Sequence, residues 1–225
     1  MSKPYIICHM MTSVDGRIAC SMTAQLEGQT EYYSALDVID APTRISGRVT
    51  AATEMTSGQT FQAKGARAYG KNGFAKQTDA TGYNIVMDTN GTLLWENEHE
   101  APKPHLIIMS QKVSRDYIDY LNGQGISWIV AGKDHIDLRQ AMDILATEFH
   151  VGRLAIVGGG KINGGFLDAG LIDELSILIG PGADGRSTEP SLFDGRPADR
   201  KPIALKLKST KAYPDGSVWL RYLIK

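Results

Sequence analysis

The chain reads as an α/β protein with a mostly parallel central sheet, helices on both faces of that sheet, and an antiparallel hairpin at the C-terminus. Three observations predict this. Short apolar runs of strand length alternate with stretches of helical periodicity along most of the 225 residues. Regular β-α alternation favours parallel strands, because each crossover lays a helix over the sheet. The final segment alternates differently: residues 203–213 and 217–224 flank Asp215-Gly216, which is a hairpin signal.

Each element has its own reason. Residues 5–11 form an apolar, strand-like run. Residues 30–39 place Tyr32, Tyr33, Leu36 and Ile39 at helical spacing, and Pro42 limits that helix. Residues 43–46 read as a short strand running into the loop Gly47-Arg48-Val49-Thr50. A strand over 83–88 precedes the Asn90-Gly91 turn. The apolar run 105–109 is closed by 110–112. Ser114 is placed to cap a helix through Leu121 that stops near Gly123 and Gly125. Residues 126–130 form a strand closing at Ala131-Gly132, and Asp137 caps a helix over 138–149. A buried strand over 154–157, a glycine turn, a helix to about Ala169 and a strand over 172–179 complete the series.

Bulk properties narrow the function. Net charge is −1, so no basic excess points to nucleic acid or to a membrane surface. No apolar run approaches the ~20 residues of a membrane span. The N-terminus passes directly into a strand, with no secretory apolar region. Cys8 and Cys20 are too few for a disulfide framework, and the five histidines lack metal-ligand spacing, so no metal is expected. These features predict a cytoplasmic protein, a single domain over 1–225, whose partners are a small molecule or another copy of itself. Residues 57–82 stand apart as a polar insertion carrying Phe61, Tyr69 and Phe74. Such a stretch is either a lid over a substrate or a disordered or dimer-contacting excursion. A second excursion, 182–202, carries Arg186, Arg196 and Arg200 and is expected to wrap the surface.

The chemistry concentrates at Val157-Gly158-Gly159-Gly160-Lys161-Ile162. Three glycines after a buried strand let the backbone turn sharply and let a ligand approach closely. The following helix aims free N–H groups and a positive dipole end at that ligand, which suits a phosphate or pyrophosphate. The motif is not the dinucleotide fingerprint G-x-G-x-x-G, since its last glycine is missing, nor is it a P-loop. Ligands of open α/β sheets lie at the carboxyl ends of strands. Four loops follow strands here: 47–50, 110–112, 131–132 and 158–162.

Taken in order, these loops resemble the reductase family that includes dihydrofolate reductase, and more closely the reductase domain of bacterial riboflavin biosynthesis. Three segments carry the resemblance: Met11-Thr12-Ser13-Val14-Asp15-Gly16-Arg17-Ile18-Ala19, Gly47-Arg48-Val49-Thr50, and the run from Val157 through Asn163-Gly164 to Leu171-Ile172-Asp173-Glu174-Leu175. The resemblance implies a dihydrofolate-reductase-like fold, NADPH as cofactor, hydride transfer and a homodimer. It implies that Gly158, Gly159, Gly160, Lys161 and Ile162 hold the pyrophosphate. Gly47, Arg48, Val49 and Thr50 would meet phosphates. Ser110 and Lys112 would hold the adenosine 2′-phosphate, where a cation and a hydroxyl favour NADPH over NADH. Ser13 and Asp15 would line the nicotinamide and substrate side, with Asp15 orienting the substrate or relaying a proton. Asp15-Gly16 is also a strong turn pair, so Asp15 has a shaping role available as well.

Two departures bear on the substrate. Val157 stands where riboflavin reductases often carry a glutamate, and Thr50-Ala51-Ala52-Thr53-Glu54-Met55 replaces their Ala-Asp-Asp-Pro run. Glu54 is the residue expected to substitute in part. The expectation is a free-standing NADPH-dependent reductase related to the enzyme that reduces 5-amino-6-(5-phosphoribosylamino)uracil. The alternatives are a reductase of another small substrate, pterin-like or carbonyl, and a non-catalytic NADP-binding dimer.

Overall fold

The computed structural model describes residues 2–56, 58–65, 67–96 and 98–225. In chain order the elements are β1 (Tyr5–Thr12), α1 (Cys20–Thr23), α2 (Gln29–Ile39), β2 (Thr43–Gly47), α3 (Arg48–Glu54), β3 (Gly73–Ala75), β4 (Asn84–Met87), β5 (His105–Met109), α4 (Arg115–Gln124), β6 (Ser127–Val130), α5 (Leu138–Thr147), β7 (Arg153–Ile156), α6 (Gly160–Asp168), β8 (Glu174–Ile179), β9 (Leu205–Ala212) and β10 (Val218–Ile224). The chain folds as two compact units. One comprises the residues up to Pro4 with Pro42–Gly152; the other comprises Tyr5–Ala41 with Arg153–Lys225.

In the first unit the strands lie in the order β3-β6-β5-β4-β2. The pairs β2–β4, β4–β5 and β5–β6 are parallel, and the short edge strand β3 runs antiparallel to β6. The predicted helix starts hold. Ser114 Oγ accepts the Tyr117 N–H at 3.1 Å, the Asp137 carboxylate accepts the Gln140 N–H at 3.1 Å, and Gly125 ends α4 at φ 70°. Tyr117, Ile118 and Leu121 of α4 share one apolar cluster with Val86, Ile107, Met109, Trp128 and Val130. Strand side chains alternate faces, so Leu106, Ile108 and Ile129 serve the other side. There α5 buries Ala141, Met142 and Leu145.

Two expectations change here. Residues 48–50 are not a loop: Gly47 is the N-cap of α3, and Arg48, Val49 and Thr50 form that helix's first turn. Nor is the insertion disordered. Of residues 57–82, Ser57 and Ala66 lie outside the described residues; the rest form a strap over the first unit. Its aromatics are anchors. Phe61 packs on Tyr117 and Tyr120 with centroids 5.1 and 4.9 Å away, Tyr69 on Trp128 at 5.6 Å, and Phe74 on Phe149 at 6.1 Å. Aromatic pairs at these spacings each contribute about 0.5–1.5 kcal/mol beyond area burial. A polar sequence thus holds its place through three spaced rings.

In the second unit the order is β7-β1-β8-β10-β9. β1 pairs in parallel with β7 and β8, whereas β10 is antiparallel to β8 and to β9, which is the predicted hairpin. β9 is exposed along almost its whole length and carries Lys206, Lys208 and Lys211, charges that discourage further strand pairing at an edge. Ile7, Met11, Ala155, Leu178 and Trp219 bury one face against Ala35, Leu36 and Ile39 of α2. Fully buried His9 on that face stacks on Tyr32, with centroids 4.4 Å apart. Its Nδ1 lies 2.9 Å from Ser176 Oγ, which also accepts the Trp219 Nε1–H at 2.8 Å. The Tyr32 carbonyl, 3.1 Å from Nε2, can only accept, so in the neutral ring Nε2 carries the proton and Nδ1 accepts from the Ser176 hydroxyl.

Candidate active site

The glycine turn lies in the second unit, between β7 and α6. Its glycines divide by role. Gly158 sits at φ 142°, a backbone region that side chains rarely enter. Gly160 and Gly164 are packing glycines: a Cβ on either would run into Asp194 or the Ser191 carbonyl. Gly159 faces open space, with nothing within 4 Å of where its Cβ would stand. Lys161 is exposed and Ile162 half-buried. Asn163 is fully buried, and its Nδ2 donates to the Leu192 carbonyl at 2.8 Å.

Helix starts in this protein differ in a telling way. α4 and α5 are capped by their own side chains, Ser114 and Asp137. α2 begins at Gly28, but a Cβ there would lie 3.0 Å from Leu178 Cδ2 and from Ser217 Cβ, so packing closes that end. α6 begins at Gly159 with no side-chain cap and with open space beside it. Such an end has N–H groups and a positive dipole to offer an anion. α3, in the first unit, also starts at a glycine, Gly47, with no side-chain cap.

The second unit also holds Ser13 and Asp15, in the turn after β1. Ser13 is buried; its Oγ donates to Asp15 Oδ1 at 2.7 Å and accepts the Arg17 N–H at 3.0 Å. The Asp15 carboxylate further accepts the backbone N–H groups of Asp184 and Gly185, both at 2.9 Å. These donors, the Asp184 amide foremost, hold its pKa well below the usual carboxylate range. Asp15 is therefore a fixed anion at neutral pH. That state suits orientation and turn shaping, and it does not suit donation of a proton. Val157 is half-buried and packs against the apolar cluster of α2, β1 and β8.

The first unit carries the remaining predicted residues. Arg48 and Val49 are exposed, Val49 to 71%, and Thr50 is half-buried. Ser46, one residue before Gly47, has a buried hydroxyl with no hydrogen-bond partner. Ser110 is completely buried; its Oγ donates to the Thr89 carbonyl at 3.0 Å and accepts the Lys112 N–H at 3.3 Å. Its hydroxyl therefore shapes the loop that presents Lys112. The Lys112 ammonium is half-exposed and lies 3.1 Å from Asp134. Glu54 closes α3, about 9 Å along the axis from Arg48, so the two act at opposite ends of the helix.

Sequence reading missed what the 182–202 excursion does. Asp184 and Gly185 supply amides to Asp15. The Asp194 N–H donates to the Gly160 carbonyl at 2.9 Å, and Ser191 Oγ donates to Asp194 Oδ1 at 2.5 Å. The excursion thus clasps both the Asp15 turn and the start of α6. Its arginines close on carboxylates: Arg186 pairs with Asp184 and Glu189, and Arg196 and Arg200 pair with Asp168. No local signal announces the contacts to Asp15, Gly160 and Asp168, since those partners lie far from the excursion in sequence. The only cue was the pair Gly160 and Gly164, spaced one helical turn apart on the same face.

Solved structures share this architecture. A pyrimidine reductase-like protein from Corynebacterium diphtheriae superposes with a TM-score of 0.71 at 19% identity, covering 99% of this chain and 92% of that one. RibD from Acinetobacter baumannii gives 0.70 at 18%, covering 99% and 58%. The riboflavin biosynthesis reductase Rib7 of Saccharomyces cerevisiae gives 0.62 at 14%, covering 99% and 90%. At these identities the likeness establishes the fold. In sequence, the chain is 30% identical over 98 residues to a 2,5-diamino-6-ribosylamino-4(3H)-pyrimidinone 5′-phosphate reductase from Methanothermobacter thermautotrophicus. That match spans 43% of this chain and under half, 45%, of the relative. The segments that carry the resemblance all fall within residues 4–219, the stretch matched by the model of the RibD C-terminal domain, and the chain belongs to that family.

Proposed function

We propose that this protein is an NADPH-dependent reductase of a ribosylated aminopyrimidine, working in the riboflavin-type reaction class. The observation that carries the reading is the uncapped start of α6 beside the open Gly159, in a chain of the RibD C-terminal domain family. The residues of each unit, taken by itself, fit a phosphate: in the second unit an open glycine beside an uncapped helix start, and in the first a half-exposed lysine on a loop shaped by a buried serine. When bound, NADPH supplies the hydride to an electrophilic C=N or C=O carbon of the substrate.

The chain's own residues bind and orient. The backbone of Gly158, Gly159, Gly160, Lys161 and Ile162 holds the pyrophosphate. Gly47, Arg48, Val49 and Thr50 offer a helix start, a cation and a hydroxyl to phosphate oxygens. Lys112, on the loop that Ser110 shapes, selects the 2′-phosphate. Asp15, a permanent anion, orients a polar group of the substrate, with Ser13 holding the carboxylate in place. Positioning of this kind supplies much of the rate in a hydride transfer. By the same resemblance the protein works as a homodimer, and the near-balanced charge and few cysteines support a cytoplasmic placement. Among the described residues, no helix is long and apolar enough to cross a membrane.

Val157 favours a second reading of the substrate alone. A carboxylate at 157 would stand against an apolar cluster, and the valine there suits a less polar ring or a small carbonyl compound. The test is titration of the pure protein with NADPH and NADH, followed by a substrate survey that begins with the phosphoribosylaminopyrimidine. Tight, NADPH-preferring binding with turnover of the pyrimidine is expected. Turnover of only carbonyl or pterin compounds selects the second reading. Binding without any turnover selects a non-catalytic dimer, and binding of neither nucleotide overturns the cofactor assignment.

A further inference from the structure

Asn72, in the strap over the first unit, belongs to none of the segments that carry the family resemblance, yet it ties together two of the four strand-end loops. Its Oδ1 accepts from Gln111 Nε2 at 2.7 Å and from the Gly132 N–H at 3.1 Å, while its Nδ2 donates to Gln140 Oε1 at 2.9 Å. One side chain thus meets the loop after β5, the loop after β6 and the first turn of α5. The strap reinforces that hold with its backbone. The Tyr69 N–H donates to the Val113 carbonyl at 2.8 Å, the Gly70 N–H to the Gln111 carbonyl at 3.1 Å, and the Arg115 N–H to the Arg67 carbonyl at 2.9 Å. Residue 68 also bridges to Ser114. The two loops touch directly as well: the Gln111 N–H donates to the Gly132 carbonyl at 2.9 Å, and Lys112 pairs with Asp134.

We infer that Asn72 is a positioning residue for cofactor selection, fixing the loop that carries Lys112 and thereby the preference for a 2′-phosphorylated nucleotide. The inference rests on the reading that Lys112 meets the 2′-phosphate. Lys112 is half-exposed on a flexible stem, so its ammonium is only as well placed as the backbone beneath it. That backbone, residues 110–113, bonds to the strap through Tyr69 and Gly70 and to Gly132 through Gln111, and Asn72 accepts from both Gln111 and Gly132. The same observations recast the insertion as a fixed brace for the cofactor loops rather than a lid.

The test uses the full chain and two variants, Asn72→Ala and Asn72→Asp. Aspartate keeps the acceptor oxygen for Gln111 and Gly132, and Gln140 can turn its amide to donate to it. Amide hydrogen exchange of the ligand-free protein reads the brace. Exchange at Gln111 and Gly132 should speed up about fivefold in Asn72→Ala and return in Asn72→Asp. The melting temperature should stay within about 2 °C, as for an exposed substitution in a chain of this size. Titration reads the function. Asn72→Ala should weaken NADPH binding about fivefold, leave NADH binding unchanged, and be rescued by Asn72→Asp. Unchanged exchange overturns the brace. Faster exchange with equal loss of NADPH and NADH, or with no loss of either, overturns the role in cofactor selection. A wild-type protein that exchanges as expected but binds no NADPH overturns the nucleotide reading itself.

Discussion

Asp15 Oδ2 accepts the Gly185 N–H at 2.9 Å across 170 positions of sequence. This bond, with its partner from Asp184 to Oδ1, fastens the 182–202 excursion to the turn after β1. The carboxylate gains its low pKa from these amides and from Ser13, so its charge serves a fixed geometry.

Asp15→Ala should release that fastening. Arg186, half-exposed one residue beyond Gly185, is the site to watch. Trypsin should cut after it about tenfold faster in the variant, because opening of the segment no longer breaks two charge-assisted bonds. The activity of the wild-type protein should show no inflection between pH 5 and 9 attributable to Asp15. Its contribution to stability is present above the ordinary aspartate value of 3.8 and is lost only as pH falls below it. Unchanged proteolysis would show that the arginine pairs, not Asp15, hold the excursion.

The glycine run predicts opposite outcomes for neighbouring substitutions. Gly164→Ala drives a methyl into the Asp194 backbone and should cost about 1–3 kcal/mol of stability. Gly159→Ala meets nothing in the protein. It should leave stability within about 0.5 kcal/mol while weakening NADPH binding about tenfold or more, since the methyl occupies the approach a phosphate needs. Denaturant unfolding and NADPH titration of both variants check this. Normal NADPH binding by Gly159→Ala would remove the pyrophosphate from this turn.

Glu174 predicts a pH dependence of stability. Its side chain is fully buried and accepts from Tyr5 Oη at 3.0 Å, Lys208 Nζ at 2.7 Å and Arg221 Nε at 2.5 Å. Burial raises its pKa, but the Arg221, Lys208 and Tyr5 donors more than offset this, and the net shift is downward from 4.5. A folded pKa below the unfolded one means stabilisation that is complete above about 4.5 and lost as pH falls through the folded value. Glu174→Gln leaves two cations facing a neutral amide and should cost about 2–3 kcal/mol at pH 7, discounted for the partial exposure of Lys208. Its loss of stability between pH 5 and 3 should be shallower than that of the wild type, as read by urea unfolding at each pH. Parallel pH profiles would place the acid sensitivity elsewhere.

Lys112→Ala separates a structural ion pair from nucleotide selection. The pair with Asp134 is half-exposed on both sides, so its removal should change stability by no more than about 0.5 kcal/mol. NADPH binding should fall about tenfold or more with NADH binding unchanged, the loss of one charge-assisted bond to a phosphate. Equal loss for both nucleotides would remove Lys112 from the 2′-phosphate.

Much of this architecture is written locally. Ser114 and Asp137 announce their helices because a capping side chain acts within three residues of itself. Asp215-Gly216 announces the β9–β10 hairpin for the same reason. Residues 48–50 carry no local helix signal, because a seven-residue helix capped by glycine has neither a capping side chain nor room for an apolar stripe. The strap was illegible because Phe61, Tyr69 and Phe74 are too widely spaced to form any period, and each finds its partner on a different element.

By itself, then, the sequence determined the series of strands and helices, the hairpin, the glycine turn and the family motifs, all features set by neighbours within about one helical turn or one hairpin. Tertiary structure alone decided that Gly160 and Gly164 make room for Asp194, that Asp15 is a clasped anion, and that Asn72 joins two loops. Those relationships depend on which distant backbone amides and carbonyls reach a given side chain, and that is fixed only when buried polar groups find their partners in the folded chain.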